Sequence, residues 1–275
     1  MSDQNQVGLS HWTDRSRGWT ATAAEGRSTD DTFNQMMIEA AGIAPGRDVL
    51  DLCSGTGDPA ISIGLALEGA GNVTACDLTP AMLGKARERS VNVGIANMRF
   101  AAAEMTALPF RNESFDGVTC RFGLMFPADR VAAAAEALRI LRPGGRAAWL
   151  VWGPYEENPP FYVLRRGVAR AHGRDEGPPP QRHCLGGGGE VAAILTAAGY
   201  QGVIESELRY DREVADIADY IDRGLRRGYA DEVAALGEAA RAALYDDLRR
   251  DFEPWRDGAV WRLPNFAVLG IGRKG

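Results

Sequence analysis

The chain is poor in the residues that build metal centres and disulfide frameworks: its 275 residues include four cysteines and three histidines. Cys53, Cys76, Cys120 and Cys184 lie far apart, and none stands in a C-x-x-C or other metal-ligand spacing. A zinc site and a disulfide-stapled mini-fold therefore have no support, and reduced thiols are expected. Long apolar runs are also missing, for no stretch approaches the roughly 20 residues of a membrane span. The first residues, MSDQNQVGLSHW, lack the basic start and apolar run of a secretion signal, so the expected location is the cytoplasm. Nor is there an excess of positive charge. Thirty-one Lys and Arg against 37 Asp and Glu leave a net charge of −6, which argues against nucleic acid as the main partner. The arginine pairs at 165–166, 226–227 and 249–250 sit in charge-mixed stretches and read as solvated helix faces. Internal repeats and disordered low-complexity tracts are absent as well.

What is present is an ordinary globular composition, 45% hydrophobic and 25% charged, on a chain long enough to bury a substantial core. Residues 48–52, 73–77 and 117–121 are short, apolar and partly β-branched, as buried parallel strands are. Helical patterns lie between them. One covers 59–67 with Pro59 in its first turn, and another covers 80–90 after Thr79, a suitable N-cap. This alternation predicts a right-handed parallel α/β sheet. An Ala-rich helix over 131–142, closed by Pro143-Gly144-Gly145, leads to a strand at 146–152. The prolines at 159–160 and 178–180 then break the pattern, leaving one helix around 161–172. A helix at 190–198, a strand at 202–210, mostly helical residues from 213 to 252 and a last strand at 265–272 complete the reading.

The segment VLDLCSGTGDPA, residues 49–60, carries the chemistry. A strand ends at Asp51, a tight turn follows, and a helix begins near Asp58. Glycines at 55 and 57 permit positive φ and close approach of a ligand to backbone, and the helix start offers free N–H groups to a carboxylate. Asp51 directs a negative charge at the same crevice, where a cationic amine suits it. Asp77 ends the second strand twenty residues beyond Gly57, and its carboxylate can accept both hydroxyls of an unphosphorylated ribose. These residues ask for a nucleoside that carries an amino acid. They equally fit the loose G-x-G-x-x-G/A pattern of a nicotinamide dinucleotide site, which leaves an NAD-dependent oxidoreductase as the alternative. Four further features favour the first reading: the acid before the turn, about 45 preceding residues holding Trp12, Trp19 and Phe33, an A-A-E-x-x-x-L-P-F segment from Ala102, and L-R-P-G-G-R from Leu141.

With these residues the sequence resembles the class I methyltransferases, and within them the group of ubiquinone and menaquinone biosynthesis methyltransferases. VLDLCSGTGD resembles the first family motif and TACDLTPAML the second, with Asp77 matching the ribose-binding acid. FAAAEMTALPF and SFDGVTCRFGLMF resemble the adenine-side and fourth-strand motifs, and ILRPGGRAAWLVW the last motif of the core. The resemblance covers residues 18–152. It implies a Rossmann-like, mostly parallel seven-stranded sheet with helices on both faces, an antiparallel last strand and a mainly helical cap. The expected organisation is an N-terminal helical segment over the cofactor site (1–45), the cofactor-binding core (46–153), a cap segment (154–189), and the rest of the core (190–275) with a helical insertion at 213–252.

The implied cofactor is S-adenosylmethionine, leaving as S-adenosylhomocysteine. Asp51, Cys53, Ser54, Gly55, Gly57 and Asp77 are the expected binding residues, joined by Trp19 near the methionine end and Arg121 at the mouth of the crevice. For Trp19 a core anchor, and for Arg121 a salt bridge at the sheet edge, are equal alternatives; Leu78 and Met82 either touch adenine or pack their helix. Two positions depart from the family: Cys53 stands where glycine is usual, tolerable if its φ is ordinary, and Ala102 where an acid is usual, so Glu104 or a carbonyl near Ala103 is expected to meet the adenine amine. Methyl transfer demands alignment and water exclusion more than an elaborate catalytic set. If a base is needed, His11, His172 and His183 are the only histidines, and His183 is the catalytic candidate. Aromatic residues at 155–185 and 213–255 suit a small hydrophobic or aromatic acceptor, methylated at carbon or oxygen. A non-catalytic S-adenosylmethionine-binding protein is a third reading. A homodimer is the favoured assembly.

Overall fold

A computed structural model describes residues 3–23 and 31–275, without the side chains of residues 3–11 and 15. The His11 side chain thus lies outside the described residues. Two helices come first, α1 (Asp3–Thr22) and α2 (Thr32–Ala40). The alternating part follows as β1 (Arg47–Leu52), α3 (Ala60–Ala66), β2 (Gly71–Asp77), α4 (Pro80–Asn92), β3 (Met98–Ala102), β4 (Phe115–Arg121), α5 (Arg130–Ile140) and β5 (Leu141–Trp152). After α6 (Pro159–Ala171) and α7 (Glu190–Ala197), β6 (Gln201–Val214) precedes three helices, α8 (Ile217–Gly228), α9 (Ala230–Ala234) and α10 (Glu238–Phe252). The chain ends with β7 (Arg256–Asp257) and β8 (Val260–Arg273). Aspartates set several helix starts: Asp31 accepts from the Phe33 and Asn34 N–H groups, Asp129 from Ala132, and Asp216 from Ala218 and Asp219. Each such cap is worth about 1 kcal/mol.

The strands form one sheet in the order β3-β2-β1-β4-β5-β8-β6, mostly parallel with the last strand antiparallel. Among the described residues its strands number eight rather than seven, because the two-residue β7 turns back onto the start of β8. The inner strands β1 and β4 are buried along almost their whole length, so both sheet faces are covered by helices. β3 escaped the apolar-run reading because it is an edge strand whose residues are all partly or fully exposed. β5 begins at Leu141, earlier than the Pro-Gly-Gly signal suggests. Leu141 pairs with Phe115, and a register shift between Phe115 and Gly117 absorbs the extra residues.

The chain divides into two compact units. The first holds residues 1–151, 187–206 and 268–275; the second holds 152–186 and 207–267. In the first, Val49, Val73 and Ala75 of the sheet pack with Ala60, Ile63, Leu67 and Leu83 from α3, its C-terminal end and α4. In the second, α6, α8 and α10 converge on a core of Val168, Ile221, Leu225, Leu248, Phe252 and Leu263. Among the described residues, no helix is long and apolar enough to cross a membrane, and no group of three or more His, Cys, Asp or Glu side chains is arranged to hold a metal.

Candidate cofactor site

β1 has β2 on one side and β4 on the other, so the chain's winding reverses direction here and a crevice opens at the strands' carboxyl ends. Asp51 lies opposite Ala75 on β2 and Thr119 on β4. The turn after β1 is closed by the Gly57 N–H donating to the Ser54 carbonyl at 2.8 Å and held to β2 by the Ser54 N–H donating to the Cys76 carbonyl at 3.0 Å. Its form requires left-handed backbone at Gly55 (φ 52°) and Gly57 (φ 108°), and at Gly57 a Cβ would come within 2.8 Å of Ile61. From α4, Arg89 reaches the Thr56 carbonyl at 2.6 Å and the Asp58 carboxylate at 3.0 Å, fixing the outer side of the turn.

Cys53 does not have the ordinary φ on which its tolerance was expected to rest. Its φ is 52°, in the left-handed region that glycine occupies without strain. A cysteine is held there because its side chain fills the space left by Gly123: a Cβ on residue 123 would lie 2.7 Å from the Cys53 sulfur and 2.7 Å from the Cys120 sulfur. The two thiols are hydrogen-bonded, and that bond together with burial pushes the Cys53 thiol well above its ordinary range.

Asp51 is fully buried, and among the described residues no cation forms an ion pair with it. Its oxygens accept from the Thr119 hydroxyl at 2.7 Å and from the Ala60 N–H at 3.1 Å, and burial pushes its carboxyl up to about 8. The first N–H of α3 is therefore taken by Asp51. The expected offer of that N–H to a ligand carboxylate is corrected accordingly. Asp77 accepts from the Gly55 N–H and the Thr79 N–H, both at 2.8 Å, and burial raises its carboxyl as well. These bonds lock the acid against the glycine turn.

The Ala103 N–H donates to the Asp77 carbonyl at 3.1 Å, which brings Ala103 and Glu104 beside that acid; Glu104 accepts from the Thr106 hydroxyl at 2.8 Å. Leu78 is half-buried and Met82 is buried on the first turn of α4. Trp19 is half-buried on α1, a helix that packs against α4 and whose Trp12 ring meets Phe126 edge-on at 4.7 Å. Arg121 ends an interior strand rather than a sheet edge. One of its terminal nitrogens pairs with Asp31 at 3.0 Å, and the other donates to the Asn34 side-chain carbonyl. Residue patterning missed Thr119, Asp31 and Asn34. The signals were there: Thr119 precedes Arg121 by two on a strand and so shares its face, and Asp31 immediately precedes a helical pattern.

His183 belongs to the second unit. Its Nδ1 lies 2.8 Å from the Gly153 carbonyl, which can only accept, so Nδ1 carries the proton and Nε2 is the bare nitrogen. Tyr155 and Phe161 flank the ring at 5.3 and 5.1 Å, and burial lowers the imidazole to about 4. His172 is at the end of α6, its Nε2 3.0 Å from the Glu232 carbonyl.

The donor set of the crevice fits a nucleoside bearing an amino acid. Asp77 accepts from the Gly55 and Thr79 N–H groups and from the Thr79 hydroxyl, which leaves room for one ribose hydroxyl, and for a second where the Thr79 hydroxyl turns away. Asp51 is a buried acid with its nearest hydrogen bonds all from neutral donors. Ser54 contributes a buried hydroxyl with no hydrogen-bond partner among the described residues, a group that a ligand would satisfy.

Residues 28–155 match the sequence profile of the ubiE/COQ5 methyltransferase family. The ubiquinone/menaquinone biosynthesis C-methyltransferase UbiE of Shewanella halifaxensis is 40% identical over 115 residues, 42% of this chain and 46% of that protein. The chain thus spans about half the length of such relatives. A demethylmenaquinone methyltransferase of Beutenbergia cavernae is 33% identical over 189 residues, 63% of this chain and 74% of that protein. Among solved structures, phosphoethanolamine N-methyltransferase 2 of Haemonchus contortus in complex with S-adenosyl-L-methionine shares the fold, with a TM-score of 0.56 and 18% identity over 89% of this chain and 53% of that one. A glycine turn flanked by a buried and a half-buried acid, within a region matched at this level, assigns the chain to the ubiE/COQ5 methyltransferase family.

Proposed function

We propose that the protein transfers a methyl group from S-adenosylmethionine to a small hydrophobic or aromatic acceptor, at carbon or oxygen, in quinone or specialised-metabolite biosynthesis. The observation that carries this reading is the pair of acids, buried Asp51 and half-buried Asp77, bound to opposite ends of one glycine turn through the Ala60 and Gly55 N–H groups. When bound, S-adenosylmethionine supplies a methyl group made electrophilic by its sulfonium. Asp77 takes the ribose hydroxyls, and Asp51 faces the amino group and loses its proton to become the counter-charge. Ser54 supplies a further hydrogen bond from within the turn, and Ala103 and Glu104 supply the adenine side. Leu78 and Met82 contribute apolar surface there, and Trp19 of α1 contributes an aromatic one near the methionine end.

His183 is the base candidate. Its fixed tautomer leaves Nε2 ready to accept a hydrogen bond from an acceptor hydroxyl, while its lowered basicity favours orienting that hydroxyl over removing its proton outright. The names of the UbiE and demethylmenaquinone relatives support carbon methylation of a quinone-type ring. The experiment is a screen of aromatic and prenylated acceptors with S-adenosylmethionine labelled in its methyl group. Label is expected in an aromatic or quinone-type product; label found only in protein or RNA substrates overturns the small-molecule reading.

A further inference from the structure

Arg121 and Asp31 form a charge pair whose position is explained by neither chain connectivity nor sheet building. Asp51, Thr119 and Arg121 occupy one face of neighbouring parallel strands. Thr119 pairs with Asp51 across the ladder and donates to it, and Arg121, two residues further along β4, points the same way, one step nearer the mouth of the crevice. Its guanidinium favours the charged form of the Asp51 carboxyl. The Arg121 side chain is only 2% exposed and lies between the rings of Phe33 and Phe122, at 5.6 and 5.5 Å. Water therefore does little to screen it.

An unneutralised buried guanidinium at this point would repel a cation entering the crevice. Asp31, 15% exposed, meets it at 3.0 Å, and Asn34 takes its other terminal nitrogen while donating to Ser62 on α3 at 2.9 Å. The start of α2 is thereby tied to both β4 and α3, and the positive charge is cancelled without an acid reaching into the crevice itself.

The two forms of the cofactor differ by one charge at sulfur: the donor is a sulfonium, and the product left after transfer is a neutral thioether. We infer that the Asp31–Arg121 pair sets the charge balance of the crevice, so that it discriminates between the cationic donor and the neutral product. Asp31 holds the donor by cancelling Arg121, and Arg121 stops Asp31 and Asp51 from holding it too tightly to permit exchange. Arg121 is on this account a positioning residue that touches Asp31 and Asn34 and acts on the cofactor through its field. The inference rests on the crevice binding S-adenosylmethionine.

The test compares the affinities of S-adenosylmethionine and S-adenosylhomocysteine in the full-length wild type, Asp31→Asn, Arg121→Gln and the double variant. Asn can still cap α2, and Gln keeps an amide donor on the side facing Asn34. Asp31→Asn is expected to lower the ratio of donor to product affinity by roughly fivefold, and Arg121→Gln to raise it by about as much. The double variant, with both charges gone, is expected to return to within about twofold of the wild-type ratio even if each affinity falls. Loss of a merely structural contact weakens both ligands alike. An unchanged ratio in the two single variants, with affinities that fall further in the double, overturns the inference. A wild type that binds neither ligand overturns the cofactor reading beneath it.

Discussion

Cys53 shows how one residue can depart from a family pattern and be compensated nearby. A non-glycine side chain in the left-handed region costs about 1–2 kcal/mol, and here the sulfur recovers packing in the space beside Gly123. That compensation makes Gly123 intolerant. An alanine there would set its methyl 2.6 Å from the Cys53 Cβ and 2.7 Å from both sulfurs. Gly123→Ala is expected to destabilise the protein by about 1–3 kcal/mol, read as a lower denaturation midpoint. Adding Cys53→Gly removes two of the three clashes and is expected to restore part of the loss. If the double variant is no more stable than Gly123→Ala alone, the packing explanation fails. From the sequence, Cys53 was visible as a substitution for glycine, but its φ was not, since dihedral choice at a turn depends on what the side chain meets across the strands.

At the scale of the element, β1 and its turn carry the site, and burial determines their chemistry. Asp51 retains its proton up to about pH 8, because burial outweighs its two hydrogen bonds. A cationic amine at that carboxyl favours ionisation, so binding S-adenosylhomocysteine at neutral pH is expected to release a proton, and affinity is expected to rise with pH until about pH 8. Calorimetry in two buffers of different ionisation enthalpy checks this. Equal heats in both, with an affinity independent of pH, contradict the pairing. The strands β1, β2 and β4 were legible because they are buried on both faces and read as apolar runs. β3 at the edge and the partly exposed β6 lack such runs, and their extents come from pairing with neighbours that a single strand's sequence does not encode.

Across the whole molecule, the crevice and its glycine turn fall in the first unit, while His183 falls in the second. The sequence marked Asp51, the turn and Asp77 because tight turns and strand ends have local signatures. The contacts of Arg121 with Asp31 and Asn34 span some ninety residues and have no such signature. His183 was visible only through the scarcity of histidine; its tautomer and burial are tertiary. Its lowered basicity has a global consequence. The native imidazole stays neutral down to about pH 4, whereas the unfolded one charges near 6.5, so the unfolded state binds more protons between these values. Stability is therefore expected to fall as pH drops through that window, by at most about 3 kcal/mol. In His183→Asn this part of the slope is expected to vanish; an identical pH profile of the denaturation midpoint contradicts it.

Calorimetric titration of the wild type and Asp77→Ala with S-adenosylhomocysteine, beside a titration with NAD, is the most direct test of a sulfonium cofactor in this crevice. S-adenosylhomocysteine is expected to bind the wild type and to bind Asp77→Ala at least about tenfold more weakly, as loss of two charge-assisted hydrogen bonds implies, with no response to NAD. Tight binding of NAD with none of S-adenosylhomocysteine, or an affinity unchanged by Asp77→Ala, would contradict it.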